Sequence, residues 1–270
     1  MKKIIGGIIG AAAAVACAAS FAGCAEDTIY VDTNAFFAPF EYYEGDEIKG
    51  VDVDIMELVG KKLDKKVKFE NTDFDIIIDN VADGSQYDCG AAGITVTPER
   101  SEKVAFSKPY YTSVQYVIIK SADVEISTVS KGEATIECIY WDSLMNKNLG
   151  VQLDTTGDIY AIEEIENGVL KGMSKDKLKE MPDAMTAVAD LDLELDAVIV
   201  DELPAKYIVK KDSSLKCYPL YYSNGDATEE QYAICVNKEN KELLNAINEV
   251  LDELGEDGVN ALVSKHFGLN

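Results

Sequence analysis

Arg100, in the stretch AAGITVTPERSEK (residues 91–103), is the sole arginine of a 270-residue chain whose other basic residues are all lysine. Arginine's planar fork grips a carboxylate through two parallel hydrogen bonds, a geometry that a lysine ammonium does not reproduce. From the count alone, Arg100 is as easily a stray surface cation as an anion receptor. Other chemistry is thinly supplied. His266 is the only histidine, and no Ser/His or Cys/His pair offers a nucleophile. Cys89, Cys138, Cys217 and Cys235 show neither CxxC nor Cys/His spacing, so no metal and no cofactor are expected. Those four cysteines are either disulfide-bonded or buried free thiols.

The charge balance narrows the partners. Twenty-five basic residues against 49 acidic ones give a net charge of −24, a surface that repels phosphate backbones, so nucleic acid is not expected as a partner. With 47% hydrophobic and 27% charged residues the chain is globular, as one large domain or two of ordinary size. At the N-terminus, MKK followed by IIGGIIGAAAAVACAASFAG has the layout of a secretory signal, residues 1–23. It ends in FAGC, which resembles a bacterial lipobox and makes Cys24 the candidate for lipid modification. AVAC at Cys17 is a weaker competitor, and an uncleaved membrane anchor is the alternative. The expected location is outside the cell, anchored to the bacterial membrane through that lipid.

From Thr28 onward, strand-like and helix-like stretches alternate. TIYVDT reads as a strand, GVDVDIMELVGKKLDKK as a helix on the spacing of Val51, Ile55, Leu58, Val59 and Leu63, and KVKFENT as the next strand. FDIIIDNVADG is helical, and YDCGAAGIT is a strand running into the turn that carries Arg100. A second series follows: NLGVQL (strand), DTTGDIYAIEEI (helix start), PDAMTAVADL (helix) and LDAVIVD (buried strand ending in an acid). ENKELLNAINEVLDELGEDGVNALVSKHFG closes the chain as two amphipathic helices broken at Gly255 to Gly258. Such alternation implies mostly parallel sheets flanked by helices, with ligands beyond the carboxyl ends of the strands. Two series without a flexible linker imply two lobes about a hinge.

Four segments in order, APFEYYEGDEIKGVDVDIMELVGKKL, AAGITVTPERSEKVAFSKPYY, GVQLDTTGDIYA and DAVIVD, with the terminal SKHFG, resemble the polar-amino-acid solute-binding proteins of ABC importers. The resemblance covers nearly the whole chain after residue 24. It implies the two-lobed Venus flytrap fold (periplasmic binding protein-like II), with lobe 1 built from residues 25–110 and 232–270 and lobe 2 from 111–231. Tyr110 and Tyr111 match the first crossing between lobes, and Thr228 to Tyr232 the return. The implied function is capture of an amino acid between the lobes, by a monomer, for delivery to a membrane permease driven by an ATPase. No GxxxxGK[ST] loop occurs here, so that ATPase is another chain.

A zwitterionic ligand needs a cation, an anion and oriented dipoles around one carbon. Carried over by motif, Arg100 takes the carboxylate, with Thr95 and Gly93 completing the grip of lobe 1. Thr155 and Thr156, at a helix start whose free N–H groups favour an anion, serve lobe 2. Asp201 matches the ammonium partner, and Phe37 and Phe74 match the aromatic rings that sandwich the ligand. Phe36 and Phe40 are read as core. Asn34, Gln152 and Val200 stand where relatives tune specificity, Asp154 replaces a common glycine and Phe36 a frequent acid. Acidic amino acids rank last as ligands in so negative a chain. Two alternatives stay open: a dehydratase acting on cyclohexadienyl acids, with Glu41 or Asp154 as its acid, and a sensory module read by a receptor. The connection before GVQL, holding Cys138 and Trp141, is longer than usual in the family.

Overall fold

The computed structural model describes residues 28–121 and 123–268. Two sheets organise them. In the first, the strands Lys66–Asn71, Thr28–Thr33 and Cys89–Gly90 lie side by side and parallel, and Cys235–Val236 and Ala105–Phe106 extend the sheet antiparallel. In the second, the order runs Leu178–Met181, Leu149–Gln152, Ala197–Asp201, Tyr111–Ile119, Lys216–Tyr221, Ala134–Tyr140 and Ser127–Lys131. The parallel units expected from the alternating pattern are present in both. Antiparallel pairs enter at Tyr111–Ile119 and Cys235–Val236, next to the crossings between sheets, and at the Ser127–Tyr140 hairpin.

The crossings themselves are paired. Glu229–Tyr232 runs antiparallel to the start of Tyr111–Ile119, with Tyr232 opposite Tyr111, so the two chain passages form one ribbon. At its base the fully buried Phe40 ring meets the rings of Tyr111 and Tyr232 edge-on, at centroid distances of 5.2 and 5.0 Å. That geometry suits the aromatic quadrupole and fixes the ribbon against the first lobe. Phe36 departs from the expectation of core: it is 45% exposed, pairs edge-on with Tyr43 and lies on the outside of a two-residue strand. Strand alternation sends Phe36 and Phe37 to opposite faces, so only one of them can point inward.

The helices follow their signals. Val51–Leu63 buries Val51, Ile55, Met56 and Val59, and ends with Asp64 in the left-handed region. The closing helix Lys241–Phe267 lies against it and is interrupted at Gly255, where φ 58 and ψ −177 break the expected pair. The connection with no legible purpose is an edge hairpin followed by a short 3-10 turn, Trp141–Leu144, that seats Trp141 in a second core with Leu144, Leu149 and Leu220. The extra length thus widens the second sheet and fills its core. Among the described residues no helix is long and apolar enough to cross a membrane. Residues 1–23 and Cys24 lie outside the described residues.

Phe40 is the residue on which hinge and lobe meet. Phe40→Ala is expected to lower stability by about 3–5 kcal/mol, measured by urea unfolding, and a loss below about 1 kcal/mol would contradict the packing role.

Candidate functional site

The turn after Cys89–Gly90 positions Arg100. Gly93 has φ 55, and a Cβ there would come within 2.6 Å of the Phe37 ring, so both backbone and space require glycine. Its N–H donates to Asp52 Oδ2 at 2.9 Å, while Tyr110 O–H donates to Asp52 Oδ1 at 2.6 Å. The helix Pro98–Lys103 then starts on Thr97, whose hydroxyl oxygen accepts from Arg100 N at 3.1 Å, with Pro98 at the first position. This start turns Arg100 back into the molecule.

There the guanidinium is 6% exposed. Nη1 donates to the Thr95 carbonyl at 2.9 Å and Nη2 to the Asp154 carbonyl at 2.6 Å, one on each side of the gap between the sheets. Its central carbon lies 5.4 Å from the Phe74 ring centroid, a cation–π distance. Both hydrogen bonds go to backbone carbonyls and neither to a carboxylate. Asp154 adopts φ 59, a region that glycine favours and that aspartate is among the few side chains to visit routinely.

The opposite wall holds the acid. Asp201 closes the strand Ala197–Asp201 and begins the next helix, yet its side chain does not cap that helix. It turns inward and accepts from Tyr232 O–H at 2.7 Å and from Gln115 Nε2 at 3.1 Å. Burial, with the negative Glu230 beside it, pushes its carboxyl well above the ordinary range. Thr155 Oγ1 donates to the Gln152 carbonyl at 2.8 Å, and Gln152 Nε2 donates across the gap to Asn34 Oδ1 at 3.0 Å. Asn34 Nδ2 in turn donates to the Thr72 carbonyl at 2.7 Å.

All ten residues expected from the sequence converge. Arg100, Asp201, Thr95, Gly93, Thr155, Thr156, Phe37, Phe74, Asn34 and Gln152 line one narrow cavity between the sheets, joined by Glu41 and Ala92, and in this closed arrangement its free volume is only about 10 Å³. Val200 does not: it is buried in the apolar core. Arg100 meets a cavity and not solvent, which decides against the stray surface cation.

The sequence profile of the bacterial extracellular solute-binding proteins, family 3, matches residues 29–269. The chain belongs to this family. Among its relatives, the arginine-binding extracellular protein ArtP of Bacillus subtilis (strain 168) is 27% identical, over 91% of this chain and 89% of the relative. The L-cystine-binding protein TcyJ of Escherichia coli (strain K12) is also 27% identical, over 89% and 83%. A crystal structure of the substrate-binding protein of an amino acid ABC transporter superposes with TM-score 0.72 at 33% identity, covering 89% of this chain and 99% of that one. The arginine-bound AbpA of Streptococcus pneumoniae gives TM-score 0.74 at 26% identity, covering 89% and 94%. The two-lobed architecture is therefore that of the family 3 solute-binding proteins.

Sequence reasoning passed over three residues of this family 3 site. Asp52 shares a helix face with Ile55, Met56 and Val59, a spacing that marks it as buried. Gln115 sits on the first crossing strand and reaches both Asp201 and Glu230. Glu230 lies on the return strand, where only alternation with Tyr232 signals that it points inward. Glu41 is also revealing. It is fully buried and lines the cavity, and neither carboxylate oxygen has a hydrogen-bond partner among the described residues. Burial, then the charges of Asp52 and Asp201, push its carboxyl well above the ordinary range. Cys89, Cys138, Cys217 and Cys235 are free thiols, the first, second and fourth of them buried as small side chains and Cys217 half-buried. No group of acids, histidines or cysteines suited to a metal occurs among the described residues.

These acids set the pH response. Burial raises Asp52 to about 6, and Asp158 likewise to about 6, against 3.8 for a free aspartate, and Glu41 and Asp201 shift in the same direction. Between about pH 4 and 6 the folded state therefore holds protons that the unfolded chain has released, so this stability is complete at low pH and is lost as pH rises through 6. The melting temperature is expected to be higher at pH 5 than at pH 7.5, as followed by circular dichroism. An equal or lower value at pH 5 would contradict the burial of these carboxyls.

Proposed function

We propose that this protein captures a free amino acid between its lobes and hands it to an ABC importer whose permease and ATPase are separate chains. The observation that carries the reading is the placement of Arg100 and Asp201 in one cavity, a buried cation for the α-carboxylate and a buried acid for the α-ammonium. The cavity residues divide between residues 25–110 with 232–270 on one side and 111–231 on the other, which supports those stretches as lobe 1 and lobe 2. Closure is favoured because only the closed state offers both sets of contacts to one ligand.

The reading extends to the side chain of the ligand. Glu41, with no partner of its own, and the amide oxygen acceptors of Asn34 and Gln152 favour a ligand whose side chain donates hydrogen bonds, and a basic amino acid fits best. The names of the relatives that bind arginine agree with this choice. The proposed role is binding without turnover, so prephenate and arogenate are expected to be left unchanged. The N-terminal segment, with Cys24 as its lipid-bearing residue, would hold the protein at the outer face of the membrane beside the importer.

A thermal-shift panel of the twenty amino acids with ornithine and cystine tests the class, since a ligand of the folded form raises the melting temperature. Basic amino acids are expected to give the largest shifts. Arg100→Lys should weaken the strongest binder by about ten- to a hundredfold, the cost of replacing paired charge-assisted hydrogen bonds with a single point contact, while the circular dichroism spectrum stays unchanged. Full retention of affinity by that variant would overturn the carboxylate assignment.

A further inference from the structure

Behind the cavity wall sits a carboxylate that the ligand reading has not used. Glu230 is 4% exposed, on the return strand Glu229–Tyr232, where alternation sends it inward with Tyr232. Its Oε2 accepts from Thr95 Oγ1 at 2.6 Å and also from Thr156 Oγ1. Its Oε1 accepts from Gln115 Nε2 at 2.6 Å. Thr95 belongs to the turn of the first sheet and Thr156 to the helix of the second, so one hinge carboxylate gathers a hydroxyl from each side of the gap.

A threonine hydroxyl has one hydrogen to give and two lone pairs. Both hydrogens here are drawn onto Glu230. The two oxygens, 3.4 Å apart and both lining the cavity, can therefore offer only lone pairs to what lies between them. The result is a pair of hydroxyl oxygens that face the cavity as acceptors. Its complement is a group bearing several hydrogens on one atom, as a primary ammonium does. A carboxylate or an ether oxygen placed there would meet only lone pairs.

We infer that Glu230 is a positioning residue that sets the polarity of the clamp: by taking the hydroxyl hydrogens of Thr95 and Thr156, it makes both threonines acceptors, and so confers selectivity for a primary ammonium. This rests on the amino-acid reading above. It assigns Thr156 Oγ1 to the ammonium end of the ligand, opposite to the anion role that a helix start alone suggests. It also makes Glu230 matter without touching the ligand. An amide at this position has two hydrogens and one acceptor oxygen; with its oxygen kept toward Gln115 Nε2, its nitrogen takes the place of Oε2, donates to the threonine oxygens and releases their hydroxyl hydrogens into the cavity.

Calorimetric titration separates this role from a merely structural one. The probes are L-arginine and 5-guanidinopentanoate, which lacks only the α-amino group. Wild-type protein is expected to prefer L-arginine by about a hundredfold. In Glu230→Gln the affinity for L-arginine should fall by about tenfold or more, while that for 5-guanidinopentanoate changes by less than about twofold, so the preference shrinks to about tenfold or less. Thr156→Val, which removes one acceptor and leaves Glu230 in place, should also reduce the preference, and it serves as the second variant if Glu230→Gln lowers the melting temperature. An unchanged preference in the folded variants, or an equal loss for both probes, overturns the inference while leaving the amino-acid reading intact. Failure of the wild-type protein to prefer L-arginine over its deaminated analogue overturns both.

Discussion

A guanidinium buried between two sheets is the constraint around which the rest of the molecule is arranged. Arg100 is almost wholly withdrawn from water, and its hydrogen bonds end on two carbonyls. An ion in such a place costs several kcal/mol unless it is paired. The Phe74 face, the two carbonyl dipoles and the neighbouring Asp154 offset part of that cost, and more distant Glu230 and Asp201 contribute to the same field. An arriving carboxylate would supply what these lack. In this closed arrangement the cation is shielded from water, and there a carboxylate would interact with it most strongly. Preorganisation of this kind is where much of the affinity for a small zwitterion would originate.

Holding a charge in that state requires rigidity, and each support traces to a local rule. Gly93 brings the chain past the Phe37 ring where no side chain fits, Thr97 caps the helix that aims Arg100, and Asp52 ties the turn to the first helix and to Tyr110. The acids Asp52, Asp201 and Glu230 lie in the same region, with hydrogen-bond partners supplied from the two crossings. Gln115, Tyr110 and Tyr232 all come from that neighbourhood. Glu41 alone has no such support, so its orphaned oxygens mark where the protein leaves room for something it does not itself provide.

The ten cavity residues were legible because each belongs to a short motif whose spacing brings a definite backbone shape: a glycine turn, a proline-started helix, a threonine pair at a helix start, an acid at the end of a buried strand. The helix at Val51–Leu63, the strands about it and the break at Gly255 were legible for the same reason, since hydrophobic period and glycine position are local signals. Glu230, Gln115 and Asp52 were not. In a chain with 49 acidic residues, an acid in a strand reads as solvated surface, and only its pairing with another strand shows otherwise. Phe36 failed in the opposite sense, because a run of aromatics has no period from which to choose the inward ring. The edge hairpin before Trp141 was hidden by composition: Ser127–Lys131 is polar and short, and its partner strand alone ties it to the sheet.

The closed arrangement is held by more than the cavity. Lys210, on the helix that follows Asp201, donates to the carbonyls of Phe267 and Gly268 at 2.9 and 3.1 Å, meeting the negative end of the last helix from the other lobe. The rings of Tyr42 and Tyr207 approach to 6.2 Å nearby, and Asn34 meets Gln152 inside. Contacts of this sort form whenever the lobes meet, ligand or not, and so raise the population of the closed empty state. A ligand shifts an equilibrium only by its differential affinity for the two states. The more closure the protein supplies from its own surface, the less of the ligand's binding free energy is consumed in bringing the lobes together. The limit is set by release: a clamp that closed fully on its own would admit nothing. Exposed contacts such as that of Lys210 are weak enough to respect it, because solvent screens them. The strong contacts, those of Arg100, Asp201 and Glu230, are kept inside the gap, where the proposed ligand would complete or reorganise them.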